Sequence, residues 1–543
     1  MQLSKLAVHP DDANILLKEK NILDPEVIEK YTTAGSITQT VLKYIIQLIN
    51  DSHHLIKTEK PYTVAEICLL GDSMMAKLLE GCYTDKDKVR EKGIAHPVTL
   101  EVNEYVSNVS PEINSVPQTT FQAGDIVTIS LGAHIDGYTA LASHTLVIYP
   151  PGVMIDNELK PEGPLLGSKA DAIVASNLAT RAVLALLGLV VHPEMIAWIP
   201  ELQNQSNAIT GSIIRQIVDE IARSFNCVVV PGSKVRRVRR FLSGQAEGVV
   251  AEREFKGVVW DESNQEEDLF KKGNSSDLVV HDGRPAASTN VSSAIPTDDF
   301  VVEAGEVYNI DLIFCSVTEF EEKGLVTLET VEEPNSTIYI RDIAVTHGLK
   351  LNSAKQLLSF VDENCSVYPF KLSHTCASFP IKIAQGNIAE QIASIKSEIV
   401  SRKLGSNELA NRYLTRIKPV QIAKHVPFAK ILLSSNPTGK RGIDASKLTL
   451  PGKELPLPAL GVSALKLKTL LKHGSVAPST ARESTTVLLN NVNKELVRLT
   501  GGKTTRPSWV HSKYEVNDQI AGLWASFSRL LDETEDFEKM QLD

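Results

Sequence analysis

The segment "AGDIVTISL" at 123–131 returns as "AGEVYNIDL" at 304–312, matching as Ala-Gly-acid-apolar-x-x-Ile-x-Leu without a gap. A turn feeding a strand is thus used twice, about 180 residues apart. Helical patterns follow the strands of the first half, so the chain reads as an α/β protein built from two related halves about a pseudo-twofold axis. Ser130 and Asp311 occupy the same place in the two copies. A length of 543 residues allows three or four average domains or one large core with insertions.

The first copy runs into "SLGAHIDGYTALASHT" (130–145), a β-hairpin turning at Asp136-Gly137, a type I′ pair. In that register residue 130 faces 143, which makes 130 and 141 diagonal neighbours on one face. Residue 144 faces 129, so His134 and His144 point to opposite faces and do not form a metal pair. Ser143 and His144 likewise point apart and lack a nucleophile-elbow motif.

Asp24-Pro25 opens a helix with a buried stripe of Ile37, Val41, Ile45 and Leu48. Thr63 and Glu66 form a capping box ahead of a second stripe, Ile67, Leu70, Met74 and Leu78. The first half is expected over 1–257, with the hairpin at 124–150, helices within 168–224 and a basic strand at 234–240. A polar surface insertion covers 258–297, and second-half strands cover 298–340. A helical insertion takes 341–435, a Pro/Gly/Lys loop with the final strands 436–515, and a C-terminal helix with an acidic tail 516–543.

The net charge of −10 gives no global reason to bind nucleic acid, so such a role needs a local basic patch. "KVRRVRR" supplies one: Lys234, Arg236, Arg237, Arg239 and Arg240. On a strand Arg236 and Arg240 share a face opposite Arg237 and Arg239. Such density suits phosphate, whose oxygens the arginine fork grips in pairs, but also suits a charged edge strand or a localisation signal. Lys466 and Lys468, followed by Lys472 and His473, form a second basic strip, and Lys503 with Arg506 a third. The most apolar stretch, "AVLALLGLVV" (182–191), is too short to span a membrane. Six scattered cysteines without a C-x-x-C pair point to a reducing compartment.

Three segments together, "GIAHPVTLEVNEYVSNVSPE" (93–112), "GDIVTISLGAHIDG" (124–137) and "GEVYNIDL" (305–312), resemble the methionine aminopeptidases, type II branch. The resemblance implies their creatinase-like "pita-bread" fold, with 341–435 as the type II helical insertion. That family holds two metal ions on carboxylates and a histidine to make a nucleophilic hydroxide. Its two hairpin aspartates fall here on Ser130 and Leu141, and its substrate histidine on Asn108. Its metal-binding histidine falls on Gly244, its first late glutamate on Asp311 and its last on Ser484, with Glu483 reachable by a one-residue shift. At most two of five ligands remain, so the resemblance implies a non-catalytic member with no metal and no cofactor. Asp311 reads as a leftover carboxylate in a polar pocket.

Two further segments, 229–260 and "LPGKELPLPALGVSALKLK" (450–468), resemble non-peptidase relatives in this family: the fungal nuclear export factors of large ribosomal subunit precursors. That likeness implies binding to ribosomal RNA and ribosomal proteins around the exit tunnel of the pre-60S particle, and shuttling between nucleus and cytoplasm. It also implies transient contact with phenylalanine-glycine repeats of pore proteins, for which a partly apolar vacated pocket containing Leu141 is the expected place. The alternatives are a metal-dependent aminopeptidase with an altered site and a scaffold like the ErbB-binding relative.

Overall fold

The computed structural model describes residues 15–522 except 16–17, 85–88, 150–151, 156–157, 195–207, 242–255, 263, 266–297, 321–323, 383–386, 428–429, 431–469, 473–474, 503–505 and 518–520. Its described helices are α1 (Pro25–Ile49), α2 (Val64–Gly81), α3 (Ser168–Val191), α4 (Gly211–Ser224), α5 (Asn352–Asn364) and α6 (Ile388–Asn411). The first strands are β1 (Lys92–Val102), β2 (Tyr105–Ser107), β3 (Ile126–Ile135), β4 (Tyr138–Val147), β5 (Val153–Ile155), β6 (Glu158–Lys160), β7 (Cys227–Val229) and β8 (Lys234–Val238). The rest are β9 (Gly257–Val259), β10 (Val307–Ser316), β11 (Gly324–Val331), β12 (Tyr339–Arg341), β13 (Thr415–Ile417), β14 (Val420–Pro427), β15 (Thr480–Asn490) and β16 (Glu495–Arg498).

One nine-stranded sheet organises the molecule, in the order β1-β3-β4-β15-β10-β8-β9, with β16 beside β15 and β7 beside β10. The repeat is the reason for that order. β3 is the middle of a triplet, β1-β3-β4, and β10 is the middle of its counterpart, β8-β10-β15. Both copies enter their strand through a glycine that needs a positive φ: +94° at Gly124 and +92° at Gly305. The acid that follows does the same task twice, since Asp125 accepts from the Gln122 amide and Glu306 from the Glu303 amide.

Helices cover one face. Val127, Ile129, Leu131 and Ala133 of β3 pack with α1 and α2, and Tyr308, Ile310, Leu312 and Phe314 of β10 pack with α3 and α4. Asp24 caps α1 by accepting from Val27, and the Thr63–Glu66 capping box forms in full. On the opposite face the small sheet β11-β14-β2 packs through Val106, Val326 and Ala423 onto Ile313 and Cys315.

Several expected boundaries are corrected. β8 lies against β10, so the basic strand belongs to the second half, because a parity-matched partner 70 residues on has no local signature. Helices α3 and α4 likewise back the second half. The insertion expected from 258 begins inside the core: β9 pairs with β8, and Trp260 is buried, its indole N–H donating to Asp219. The helical insertion gives way to strands β13 and β14. The 24-residue α3 is long and apolar enough to cross a membrane, beyond the short run read from sequence, but it is packed into the core. All six cysteines are free thiols.

Candidate functional site

Strand register lays one row of residues across the sheet. Thr99, Ser130, Ser143, Ser484, Asp311 and Lys234 are successive partners on β1, β3, β4, β15, β10 and β8. Paired residues point the same way and alternate along each strand, so this row faces away from the four covering helices. The hairpin has the expected register, with Asp136 and Gly137 at φ +52° and +85°. Leu141 falls opposite Gly132 on the same face, and its side chain lies where a Cβ on Gly132 would have to stand.

The row is hydrogen-bonded rather than ionic at its first-half end. Ser143 Oγ donates to Ser130 Oγ at 2.9 Å, and Ser130 Oγ donates to Glu101 Oε2 at 3.4 Å. Burial pushes the Glu101 carboxyl up to about 7, although Arg482 and Thr99 favour its ionised form. At the second-half end Arg482, two residues before Ser484, grips Asp311 with both prongs: Nε to Oδ1 at 2.7 Å and Nη2 to Oδ2 at 2.8 Å. Burial acts to raise the Asp311 pKa, but the guanidinium outweighs it and the carboxyl sits below its ordinary range.

That donor set does not fit a pair of divalent metals. A guanidinium occupies both oxygens of the aligned carboxylate, and the other aligned positions offer hydroxyls or an alkyl chain. The one-residue shift fails as well. Glu483 lies on the helix-covered side, where its Oε1 is 3.0 Å from His144 Nδ1. His134 sits on the other face, stacked on Tyr368 at 4.0 Å, and burial holds its imidazole down at about 3. Gly244 lies outside the described residues. Among the described residues no three His, Cys, Asp or Glu side chains gather to hold an ion.

Cations surround Asp311 instead. Lys234 is its direct partner on β8, and Arg236 is opposite Asn309 on the same face. Lys418 comes from the turn between β13 and β14. Burial first, then the like charges of Lys234 and Arg482, bring its ammonium down to about 8. His96, opposite Gly132, is held at about 3 by burial and then by Lys418 and Arg482. Asn108, at the place of the family's substrate histidine, has a positive φ of 64° and donates to the Pro419 carbonyl at 2.8 Å, fixing the turn that carries Lys418. Hydroxyls and cations share this face with Leu141. Sequence reasoning missed Arg482 and Lys418. Strand parity from Ser484 could have found the first, while nothing local marks the second.

The basic run is only partly a surface feature. β8 ends at Val238, so the expected pairing of Arg236 with Arg240 on one face is corrected. Arg237 points to the helix side and is 5% exposed, with Nη1 at 2.9 Å from Glu306 Oε1. Arg240 lies past the strand, 2.7 Å from Asp136 Oδ1, over the Tyr138 ring. Both are held by internal carboxylates. Arg506 and Lys472 are exposed; Lys466, Lys468 and Lys503 lie outside the described residues.

A pseudo-twofold sheet with helices on one face and a site row on the other is the pita-bread fold. No protein-family model matches the chain. It is 56% identical to "Probable metalloprotease ARX1" of Debaryomyces hansenii over 533 residues, 95% of this chain and 93% of that one. The Saccharomyces cerevisiae protein of the same name is 47% identical over 557 residues, 95% of this chain and 92% of that one. A solved structure of a thermophilic Arx1 covers 92% of this chain and 98% of its own, with a TM-score of 0.55 at 17% identity, a likeness of fold. The chain belongs to the Arx1 family.

Proposed function

We propose that the chain is a non-catalytic assembly and export factor that binds maturing large ribosomal subunits near the exit tunnel and accompanies them from nucleus to cytoplasm. The observation that carries the non-catalytic part is the bidentate Asp311–Arg482 pair on the face where the peptidases place metal. The ribosomal part rests on the resemblance of segments 229–260 and 450–468. The relatives' name, probable metalloprotease, favours a second reading as a metal-dependent aminopeptidase, which Ser130, Leu141 and Ser484 oppose by offering no carboxylate. Phosphate contacts fall to Arg236, Arg239, Lys472 and Arg506, with Lys466, Lys468 and Lys503 beside them in sequence. Phenylalanine-glycine repeats are the transient partner; Leu141→Asp that left repeat binding intact would take the sheet face out of that role.

Co-sedimentation with large-subunit precursors across a salt series tests the reading. Comigration of the wild type, falling about 10²-fold in affinity between 50 and 200 mM salt for about four phosphate contacts, is expected. Arg236→Glu with Arg239→Glu weakens it. Absence of comigration at any salt, or metal-dependent cleavage of N-terminal methionine from peptides, overturns it.

A further inference from the structure

The segment 341–435 differs from the rest of the chain in charge and in surface. It carries thirteen Lys and Arg against six Asp and Glu, within a chain of net charge −10. Six of the fifteen exposed large apolar side chains among the described residues also fall in it: Ile343, Ile388, Val400, Leu404, Tyr413 and Ile417. Helix α6 brings the two properties together. Asn387 caps it by accepting from the Ala389 amide, and Ile395, Ile399 and Leu409 turn inward onto Ala354, Leu357 and Val361 of α5. The outer face carries Ala393, Ser397, Val400, Leu404, Asn407 and Asn411, all exposed, at alternating steps of four and three. That is the spacing at which one helix packs along another. Val400 and Leu404 form its centre, 60% and 62% exposed. Lys396 and Lys403 flank the seam seven residues apart, exposed and without an ion pair among the described residues. The helix's own acids Glu398 and Glu408 are turned instead to the amides of Ala377 and Lys350.

We propose that this face receives an acidic amphipathic helix of a partner protein, its apolar stripe on Val400 and Leu404 and its carboxylates beside Lys396 and Lys403. With 24 residues, α6 is about 36 Å long, enough for three heptads of contact. Two adjacent aliphatic side chains held in water at the middle of a helix gain by burial against another apolar stripe. Lysines flanking such a seam select a partner with carboxylates in the facing positions. A polynucleotide fits less well, because its phosphates and sugars would cover Val400 and Leu404 without offering them an apolar contact. A second copy laid antiparallel would set lysine against lysine. The proposal stands on the exposure, spacing and charge of α6 and does not rest on the ribosomal reading.

The test is fluorescence anisotropy of a labelled peptide of three Glu-Ile-Ala-Ala-Leu-Glu-Lys repeats with the full chain. Beside it run three Lys-Ile-Ala-Ala-Leu-Lys-Glu repeats, which keep the apolar seam and reverse the flanks, and poly-uridylate. The acidic peptide is expected to bind saturably and the basic one not at all. Val400→Ser with Leu404→Ser, and Lys396→Glu with Lys403→Glu, are each expected to weaken binding of the acidic peptide at least ~10-fold, a loss of about 1.4 kcal/mol. All four positions are exposed, so thermal midpoints stay at the wild-type value and the losses report the face. The charge-reversed variant should in turn bind the basic peptide, a gain that misfolding cannot produce. Failure of the acidic peptide to bind, or binding unchanged in both double variants, overturns the proposal. So does poly-uridylate binding lost on charge reversal while the acidic peptide stays inert, which would assign the face to RNA. A dimer of the chain alone that the Val400→Ser, Leu404→Ser variant dissolves overturns it too, assigning the seam to a second copy.

Discussion

Arg482 is a positioning group for the whole face, because its guanidinium replaces with one rigid fork the neutralisation that metal ions would give Asp311. Both partners are largely buried, with side-chain exposures of 18% and 6%. Removing the guanidinium strips the buried Asp311 carboxylate of both paired hydrogen bonds, so Arg482→Met should cost about 3–5 kcal/mol. Asp311→Leu added to Arg482→Met should recover most of that loss. Urea melts of the two variants decide it, and an unrecovered double variant would show that shape rather than charge is being read. Glu101 gives the pH counterpart. Its folded pKa near 7 lies above the ordinary 4.5, so the folded state holds the extra proton between those values. The stability this contributes is complete below the lower value and is lost as pH rises through the upper one. Glu101→Gln should therefore raise the melting midpoint at pH 8, worth at most about 3 kcal/mol, with the gain fading by pH 5. A gain independent of pH would trace the effect to packing instead. At this scale the sequence showed which ligands are replaced, since alignment of Ser130, Leu141 and Ser484 needs only local motifs. It did not show that Asp311 would be neutralised by a residue 171 positions away, because that follows from strand pairing.

Elements were legible where their signals are local. Asp24 and Thr63 cap their helices, the Asp136-Gly137 turn sets the β3–β4 register, and the repeated Ala-Gly-acid turn opens both central strands. The repeat glycines make the clearest prediction. A Cβ on Gly124 would meet nothing within 4 Å, so Gly124→Ala is penalised by its φ of +94° alone, by about 1–2 kcal/mol. Gly81 ends α2 in equally open space without a positive φ, and Gly81→Ala should instead stabilise by up to about 1 kcal/mol. Thermal melts of the pair should move in opposite directions; a shared direction would mean that the strand-entry turn tolerates a side chain. The basic strand was misplaced for a physical reason. Charge density around Arg237 reads as surface from sequence, yet Glu306 answers it from the turn that enters β10 and Asp136 answers Arg240 from the hairpin turn. Neither partner is near in the chain, and long-range pairing of this kind leaves no trace in a local window.

At the scale of the molecule, the two halves meet where β4 lies along β15, and side chains bridge much of that seam. Only Ser143–Ser484 and Ala142–Thr485 pair as a regular ladder. Beyond them Thr145 Oγ1 both donates to the Arg482 carbonyl and accepts from the Arg482 amide, each at 2.8 Å. Thr486 Oγ1 accepts from the Leu141 amide at 2.9 Å, and Thr500 Oγ1 donates to the Leu141 carbonyl at 2.6 Å. Thr145→Val keeps the volume and removes the hydroxyl, leaving a buried amide and carbonyl without partners at about 1–3 kcal/mol each. The expected loss is about 2–4 kcal/mol. It should nevertheless appear as a shift of one transition, because a shared cluster locks the halves together: Leu23 ahead of α1, with Val27 and Tyr31 of α1, packs at once against Tyr138 from the first half and Val238, Val307 and Leu488 from the second. Calorimetry of Thr145→Val distinguishes the cases. A single lowered peak supports one cooperative unit whose seam is bridged by threonines, and two separated peaks would show that the halves unfold independently once those bridges are removed.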